Sequence, residues 1–215
     1  MVKQLLPLDT KKSFIPHHSA SDWDIRFPTK YTITTETYIS PPTSLRHDYP
    51  GGTAYNLFLC KNSAALQVTE GRLQTYLRMN NTTRPFYLCF RNILASGTPN
   101  LSSCYYAYFG MQSTEWYFYE YKSGTQKRAW SRTKQLQEIN TWYNTRLSWW
   151  YAWDVLNVSL ELEVDGQWIQ QGDLITVAND LFKTETHQRC GIGSSLSAAA
   201  HKAYFDNTSI WEYVP

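Results

Sequence analysis

The sequence predicts an all-β chain folded as a two-sheet antiparallel sandwich. First, Leu156, Val158, Leu160, Leu162 and Val164 alternate with Asn157, Ser159, Glu161 and Glu163, and Asp165-Gly166 follows at once. A period of two fits a half-buried strand and not a helix. Asp-Gly suits a two-residue hairpin turn, whose central residues both need positive φ. Second, Tyr (16) and Trp (9) are abundant, and both favour strands. Third, turn signals separate about a dozen short runs of this kind, with no long helical pattern between them. Two packed antiparallel sheets bury such strands.

Residues 1–20 have no clean period, and Pro7, Pro16 and the polar run around Lys11 predict an extended N-terminal arm. Leu5, Leu6, Leu8, Phe14 and Ile15 give the arm apolar contacts. It is expected to dock on a sheet edge, most usefully that of a neighbouring subunit. No Pro/Gly/Ser linker or charge block divides residues 21–215, so they are expected to form one sandwich domain.

Within that domain, Ser21–Phe27 and Tyr31–Ser40 read as the first strands, with Ile33, Thr35, Thr37 and Ile39 sharing a face. Pro41-Pro42 stops the second, because proline cannot donate to a ladder. Thr43–His47 and a turn at Tyr49–Gly52 follow. Tyr55–Cys60, Ala64–Thr69 and Arg72–Met79 read as strands. Pro85–Asn92 places Phe86, Leu88 and Phe90 on one face. Cys104–Gly110 and Glu115–Tyr121 make an antiparallel pair, and Ser123-Gly124 is a turn. Residues 125–140 carry little pattern, with one helical turn expected at Thr133–Ile139. Thr141–Trp150 returns to strand before the hairpin. Asp173–Asn179 is a strand or edge, the Gly/Ser-rich His187–Ser197 reads as a loop, and Ala203–Tyr213 closes the domain.

Charged residues make up 18% of the chain, against about 25% in a typical domain. The net charge is +2, and Lys11-Lys12 and Lys127-Arg128 are its longest basic runs. Counterion release onto a polyanion needs clustered cations, so no nucleic-acid partner is expected. No stretch approaches the roughly 20 apolar residues of a membrane span, so no membrane insertion is expected. MVKQLLPLDTKK is too polar for a secretory signal. The chain is therefore expected to be made in the cytoplasm and to act in a virion or outside the cell after assembly. Cys60, Cys89, Cys104 and Cys190 show no metal spacing, and reduced thiols packed as small apolar residues are expected.

Three patterns in order resemble the concanavalin A-like jelly-roll superfamily, which includes laminin-G-like domains and legume-type lectins. They are Trp23 with Tyr31–Ile33 and SPPTSLR at 40–46; TWYNTRLSWW at 141–150 leading into LELEVDGQWI; and Gly191–Gly193 followed by YFDNTSIW at 204–211. The resemblance implies a jelly-roll sandwich. It does not fix a function, because this fold carries lectins, glycosidases, lyases and structural modules.

Glycosidases of this superfamily carry paired acids on a cleft-facing strand. Here Glu161, Glu163 and Asp165 share one face, but the last acid falls in the Asp-Gly turn. A solvated strand face is the plainer expectation, and Glu161→Gln or Glu163→Gln is expected to leave activity intact. His17, His18, His47, His187 and His201 are scattered, with no base–nucleophile pattern. The resemblance places Asp206 where some members hold a structural calcium, with Asp22 and Asp24 as further ligands. Asp206 bonded to a neighbouring strand is the alternative.

In EWYFYEY, Trp116, Phe118 and Glu120 share one face, while Tyr117, Tyr119 and Tyr121 share the other. Trp116, Tyr117, Tyr119 and Tyr121 are the candidate ligand-binding residues, able to stack on sugar rings or pack on a partner. Taken together, the expectation is a non-catalytic binding or assembly protein. Its first form is a structural protein of a virion, such as a phage capsid or tail, with copies of itself or other virion subunits as partners. Its alternative is a lectin-like module binding a cell-surface glycan, and a polysaccharide-degrading enzyme is third.

Overall fold

The computed structural model describes residues 8–15, 23–39, 43–49, 55–60, 68–81, 85–94, 96–185 and 188–214. In chain order the strands are β1 (Leu8–Ile15), β2 (Trp23–Ile25), β3 (Tyr31–Thr34), β4 (Ser44–His47), β5 (Tyr55–Cys60) and β6 (Gly71–Met79). Then come β7 (Pro85–Asn92), β8 (Cys104–Gly110), β9 (Glu115–Lys122), β10 (Thr125–Thr133) and β11 (Tyr143–Ala152). The last are β12 (Val155–Val164), β13 (Gln167–Gln170), β14 (Ile175–Val177), β15 (Arg189–Ser195) and β16 (Ala203–Val214).

They form two antiparallel sheets. The nine-stranded sheet runs β13-β12-β11-β6-β16-β4-β3, with β1 added on β16 and β14 on β12. The seven-stranded sheet runs β10-β9-β8-β7-β15-β5-β2. The all-β sandwich expected from the sequence is therefore observed.

The hairpin forms as its alternation requires. Leu156, Val158, Leu160 and Leu162 are buried, and Val164 is half-buried where the strand leaves the core. Asp165 and Gly166 take φ of 51° and 75°. From the opposite sheet, Phe86, Leu88 and Phe90 point into the same core. Trp149 of β11 stacks on Phe90 of β7 with centroids 4.5 Å apart, joining the sheets through aromatic faces. At the end of this core, the buried Asp180 pairs with Arg91 and accepts from Tyr151 at 2.6 Å and Tyr105 at 2.8 Å. The buried Glu120 pairs with Arg128 and lies 2.6 Å from the same Tyr105 hydroxyl, whose single proton serves one carboxylate at a time. Buried charges are tolerated here because each is paired and hydrogen-bonded.

Several sequence expectations are corrected. The strand from Tyr31 ends at Thr34, not at Ser40, which lies outside the described residues. The Thr34 hydroxyl accepts from the Glu36 amide at 3.0 Å, and this local turn competes with the ladder. Ile33, on the edge strand β3, and Ile39, beyond the turn, are both exposed. In Ala64–Thr69, residues 64–67 lie outside the described residues, and Val68 and Thr69 are not in a strand. Residues 125–133 are edge strand β10, and no helical turn forms over 133–139. A register shift between Gln126 and Arg128 hides its period of two. His187–Ser197 is not a loop throughout, because β15 runs fully buried between β5 and β7.

The arm expectation also changes. Leu8–Ile15 pairs with Val214–Thr208 of β16 in the same chain. The backbone donors and acceptors expected to seek a neighbouring subunit meet this chain's own closing strand.

Candidate functional site

The outer face of the seven-stranded sheet is lined with tyrosines. Strand alternation turns Tyr117, Tyr119 and Tyr121 of β9 outward and buries Trp116, Phe118 and Glu120. In register, β8 sets Tyr108 opposite Tyr117 and Tyr106 opposite Tyr119. Next, β7 sets Tyr87 opposite Tyr108. Ring centroids are 5.2 Å apart for Tyr106–Tyr119, 5.6 Å for Tyr87–Tyr108 and 5.4 Å for Tyr55–Tyr87. The rings form one continuous aromatic surface across four strands.

This surface opens into a groove of about 460 Å³ lined by Tyr55, Tyr87, Tyr106, Tyr108, Tyr119 and Tyr121, with polar groups from Asn100, Ser102 and Gln126. Beneath the rings, Leu57, Leu59, Cys89 and Cys104 pack as an apolar layer. Gly191 and Gly193 of β15 allow that layer to close. A Cβ on Gly193 would lie 2.5 Å from the Asn56 carbonyl oxygen, and one on Gly191 would lie 2.9 Å from Cys89 Sγ.

One wall of the groove is the loop between β7 and β8. Asn92 Nδ2 donates to the Asn100 carbonyl at 2.7 Å, the Leu101 amide donates to the Tyr55 hydroxyl at 3.1 Å, and the Gly124 amide donates to the Ser102 carbonyl at 2.8 Å. Burial pushes the phenols of Tyr55, Tyr106 and Tyr119 above their ordinary pKa, so they stay protonated near neutral pH. The face thus offers apolar ring planes edged with neutral hydroxyls, which suits a flat ligand that is apolar in the middle and hydroxylated at its rim.

No family model matches the chain, and no curated protein matches it. Solved structures do. The exoplasmic/lumenal domain of VIP36, in a Ca2+/Man3GlcNAc-bound form, aligns with a TM-score of 0.62 at 10% identity, covering 96% of this chain and 90% of that one. Arcelin-5, a lectin-like defense protein from Phaseolus vulgaris, aligns with a TM-score of 0.58 at 9% identity, covering 94% and 97%. The potassium-bound carbohydrate recognition domain of Emp46p aligns with a TM-score of 0.55 at 9% identity, covering 92% and 99%.

The fold is the concanavalin A-like jelly roll.

On this jelly roll the residues expected to bind ligand divide. Tyr117, Tyr119 and Tyr121 stand on the tyrosine face, Tyr117 at its margin with its hydroxyl donating to Glu115 at 2.7 Å. Trp116 does not join them. It is fully buried, and its indole N–H donates to the Gln171 carbonyl at 2.7 Å. Strand alternation excludes it from the face of its neighbours. Tyr55, Tyr87, Tyr106 and Tyr108 were missed. The alternation in CYYAYFG was a signal for Tyr106 and Tyr108, whereas Tyr55 and Tyr87 join only through long-range strand order.

Two of the three aspartates expected to hold calcium, Asp24 and Asp206, are otherwise engaged. Asp24 lies on β2 of the seven-stranded sheet and bonds Arg189 Nη2 at 2.5 Å. Asp206 lies on β16 of the other sheet and accepts the amides of Ile39 at 2.7 Å and Asn207 at 2.8 Å. Asp22 lies outside the described residues. Among the described residues, no group of three or more His, Cys, Asp or Glu side chains gathers as a metal site. Asp24 and Asp206 therefore do not fit a shared calcium.

Glu161 and Glu163 point away from the core, but Glu161 is not a freely solvated carboxylate. Arg146 holds both its oxygens, at 2.6 Å and 2.7 Å, and Trp168 covers the guanidinium at 4.2 Å. Glu163 accepts from Asn144 Nδ2 at 2.6 Å. Of the histidines, His47 is a core residue bonded to Ser194, and His201 contacts Asn81 and Ser197. His17, His18 and His187 lie outside the described residues. All four cysteines are free and buried.

Proposed function

We propose that this protein is a glycan-binding module and that its site is the tyrosine groove on the seven-stranded sheet. One observation carries the proposal: six tyrosines from four strands converge on a single groove of about 460 Å³. Sugar rings present C–H faces that pack on aromatic planes and rim hydroxyls that hydrogen-bond to phenols. The fold likeness to a carbohydrate recognition domain and to a glycan-bound lumenal domain supports this reading.

The reading is one of binding rather than catalysis. Glu161, the first acid on the outward face of β12, is locked to Arg146. Assembly in a virion, the first expectation from the sequence, takes second place. The arm that favoured it pairs with β16 of its own chain.

Calorimetric titration against a panel of neutral and acidic oligosaccharides tests the proposal. Tyr119→Ala and Tyr121→Ala are expected to weaken binding roughly three- to tenfold each, in line with the loss of one aromatic contact. Wild-type affinity for none of the panel would end the glycan reading. Binding that survives both substitutions unchanged would move the site off this face.

A further inference from the structure

At the β2 end of the groove, two hydrogen-bond donors stand side by side with no acceptor. Arg26 follows β2, and its guanidinium carbon lies 4.4 Å from the ring centroid of Tyr55. Nη1 donates to the Tyr55 hydroxyl at 2.9 Å and, at 3.4 Å, to the Pro99 carbonyl. Neither partner carries charge. The Arg26 Nε–H is buried and finds no acceptor among the described residues. The adjacent carboxylate, Asp24, is already bound by Arg189 Nη2 at 2.5 Å, so its charge is matched elsewhere.

Tyr55 beside it is half-buried. Its oxygen accepts from Arg26 Nη1 and from the Leu101 amide. Its own proton has no acceptor among the described residues. A buried donor without an acceptor is costly and uncommon, which singles out the Arg26 Nε–H, and the half-buried Tyr55 phenol beside it offers a second proton at the groove.

The pair also divides two depressions. Tyr55 lines the tyrosine groove. Arg26 lines a second cleft of about 510 Å³, together with Trp23, Asp24 and Pro99. A chain-like ligand leaving the groove at Tyr55 passes Arg26 next.

We infer that Arg26 and Tyr55 form an anion subsite, and that the glycan bound here is an acidic one. This rests on the glycan reading above. A guanidinium and a phenol, each with a proton to give, suit a group that only accepts. A carboxylate or a sulfate is such a group, and charge-assisted bonds to it are stronger than bonds to a neutral hydroxyl. The tyrosines supply stacking and Arg26 supplies charge selection.

The test uses three oligosaccharides of equal length: a neutral one, its uronic-acid counterpart and its sulfated counterpart. Wild type is expected to bind at least one acidic form about tenfold or more tighter than the neutral form. That preference should shrink as salt is raised, because an exposed ion pair is screened. Arg26→Gln should collapse the acidic-to-neutral ratio toward one. Tyr55→Phe, which removes only the hydroxyl, should lower it in part. A carboxylate source shows as uronate preference alone, and a sulfate source as preference for the sulfated chain. Circular dichroism of each variant establishes that it is folded. Equal wild-type binding of all three sugars would overturn the anion subsite while leaving the glycan reading standing. So would a folded Arg26→Gln with the wild-type ratio. No binding of any sugar would overturn both.

Discussion

The indole N–H of Trp116 donates to the carbonyl of Gln171 at 2.7 Å. Trp116 lies on β9 of the seven-stranded sheet, and Gln171 follows β13 of the other, so this bond ties the two layers near one edge. Trp116→Phe removes the donor, leaves that carbonyl buried without it, and shortens a fully buried side chain. A loss of about 1–3 kcal/mol is expected in urea denaturation. Glycan affinity of the folded protein should not change, because Trp116 lies beneath the sheet and not on the tyrosine face. A selective loss of glycan binding at unchanged stability would return Trp116 to the ligand site.

The Arg146–Glu161 pair gives a second expectation. The two side chains are only 14% and 15% exposed, so solvent does little to replace the pair. Glu161→Gln is expected to cost about 1–2 kcal/mol, the range for a charge-assisted hydrogen bond. A double-mutant cycle with Arg146→Gln isolates the interaction. A coupling energy near zero would mean that Trp168 and the strand ladder hold this face without the ion pair. Glycan binding on the opposite sheet should be unaffected.

Periodicity reached as far as single strands, and it failed where local composition and strand order disagree. β12 was legible because Leu156–Val164 alternate without interruption. β15 was not, because Gly191, Gly193, Ser194 and Ser195 look like loop residues when read alone. Their small size is what a central strand needs where Leu57, Leu59 and Cys89 close over it. β10 was hidden by its register shift at Gln126–Arg128. The site was legible in part for the same reason. EWYFYEY shows three tyrosines on one face, but Tyr55 reaches them only through the order β9-β8-β7-β15-β5, which no short window contains.

Gly193 supplies the third expectation. Its position between Asn56 and Leu57 leaves no room for a methyl group, since a Cβ would come within 2.5 Å of a backbone oxygen. Backbone on a central strand cannot swing aside as a flexible side chain can. Gly193→Ala is expected to destabilise the fold by about 1–3 kcal/mol, as overpacking does. It should also lower glycan affinity, because the strands carrying Tyr55 and Tyr87 would have to separate. Thermal denaturation and the same titration read the two effects. A variant as stable as wild type would show that β5 and β15 can part at little cost.

The last expectation concerns acid. His47 is fully buried on β4, with its ring 6.4 Å from that of Phe58, and burial pushes its pKa from 6.5 down to about 3. The folded state therefore holds it neutral, while the unfolded chain charges it below pH 6.5. Its contribution to stability is complete above pH 6.5 and is lost as pH falls from there toward 3, at up to about 1.4 kcal/mol per pH unit. Glu36 also titrates in acid. Hydrogen bonds from Lys202 and Arg46 hold its carboxyl at about 2, against an ordinary 4.5, so its contribution is lost only below pH 4.5. The window from pH 6.5 to 4.5 separates the two. In that window, unfolding free energy should fall for wild type and fall less steeply for His47→Gln, whatever the variant's stability at neutral pH. Chemical denaturation at half-unit steps measures both slopes. Parallel curves would mean that His47 takes up its proton in the folded state as readily as in the unfolded chain, and that β4 opens to water around it.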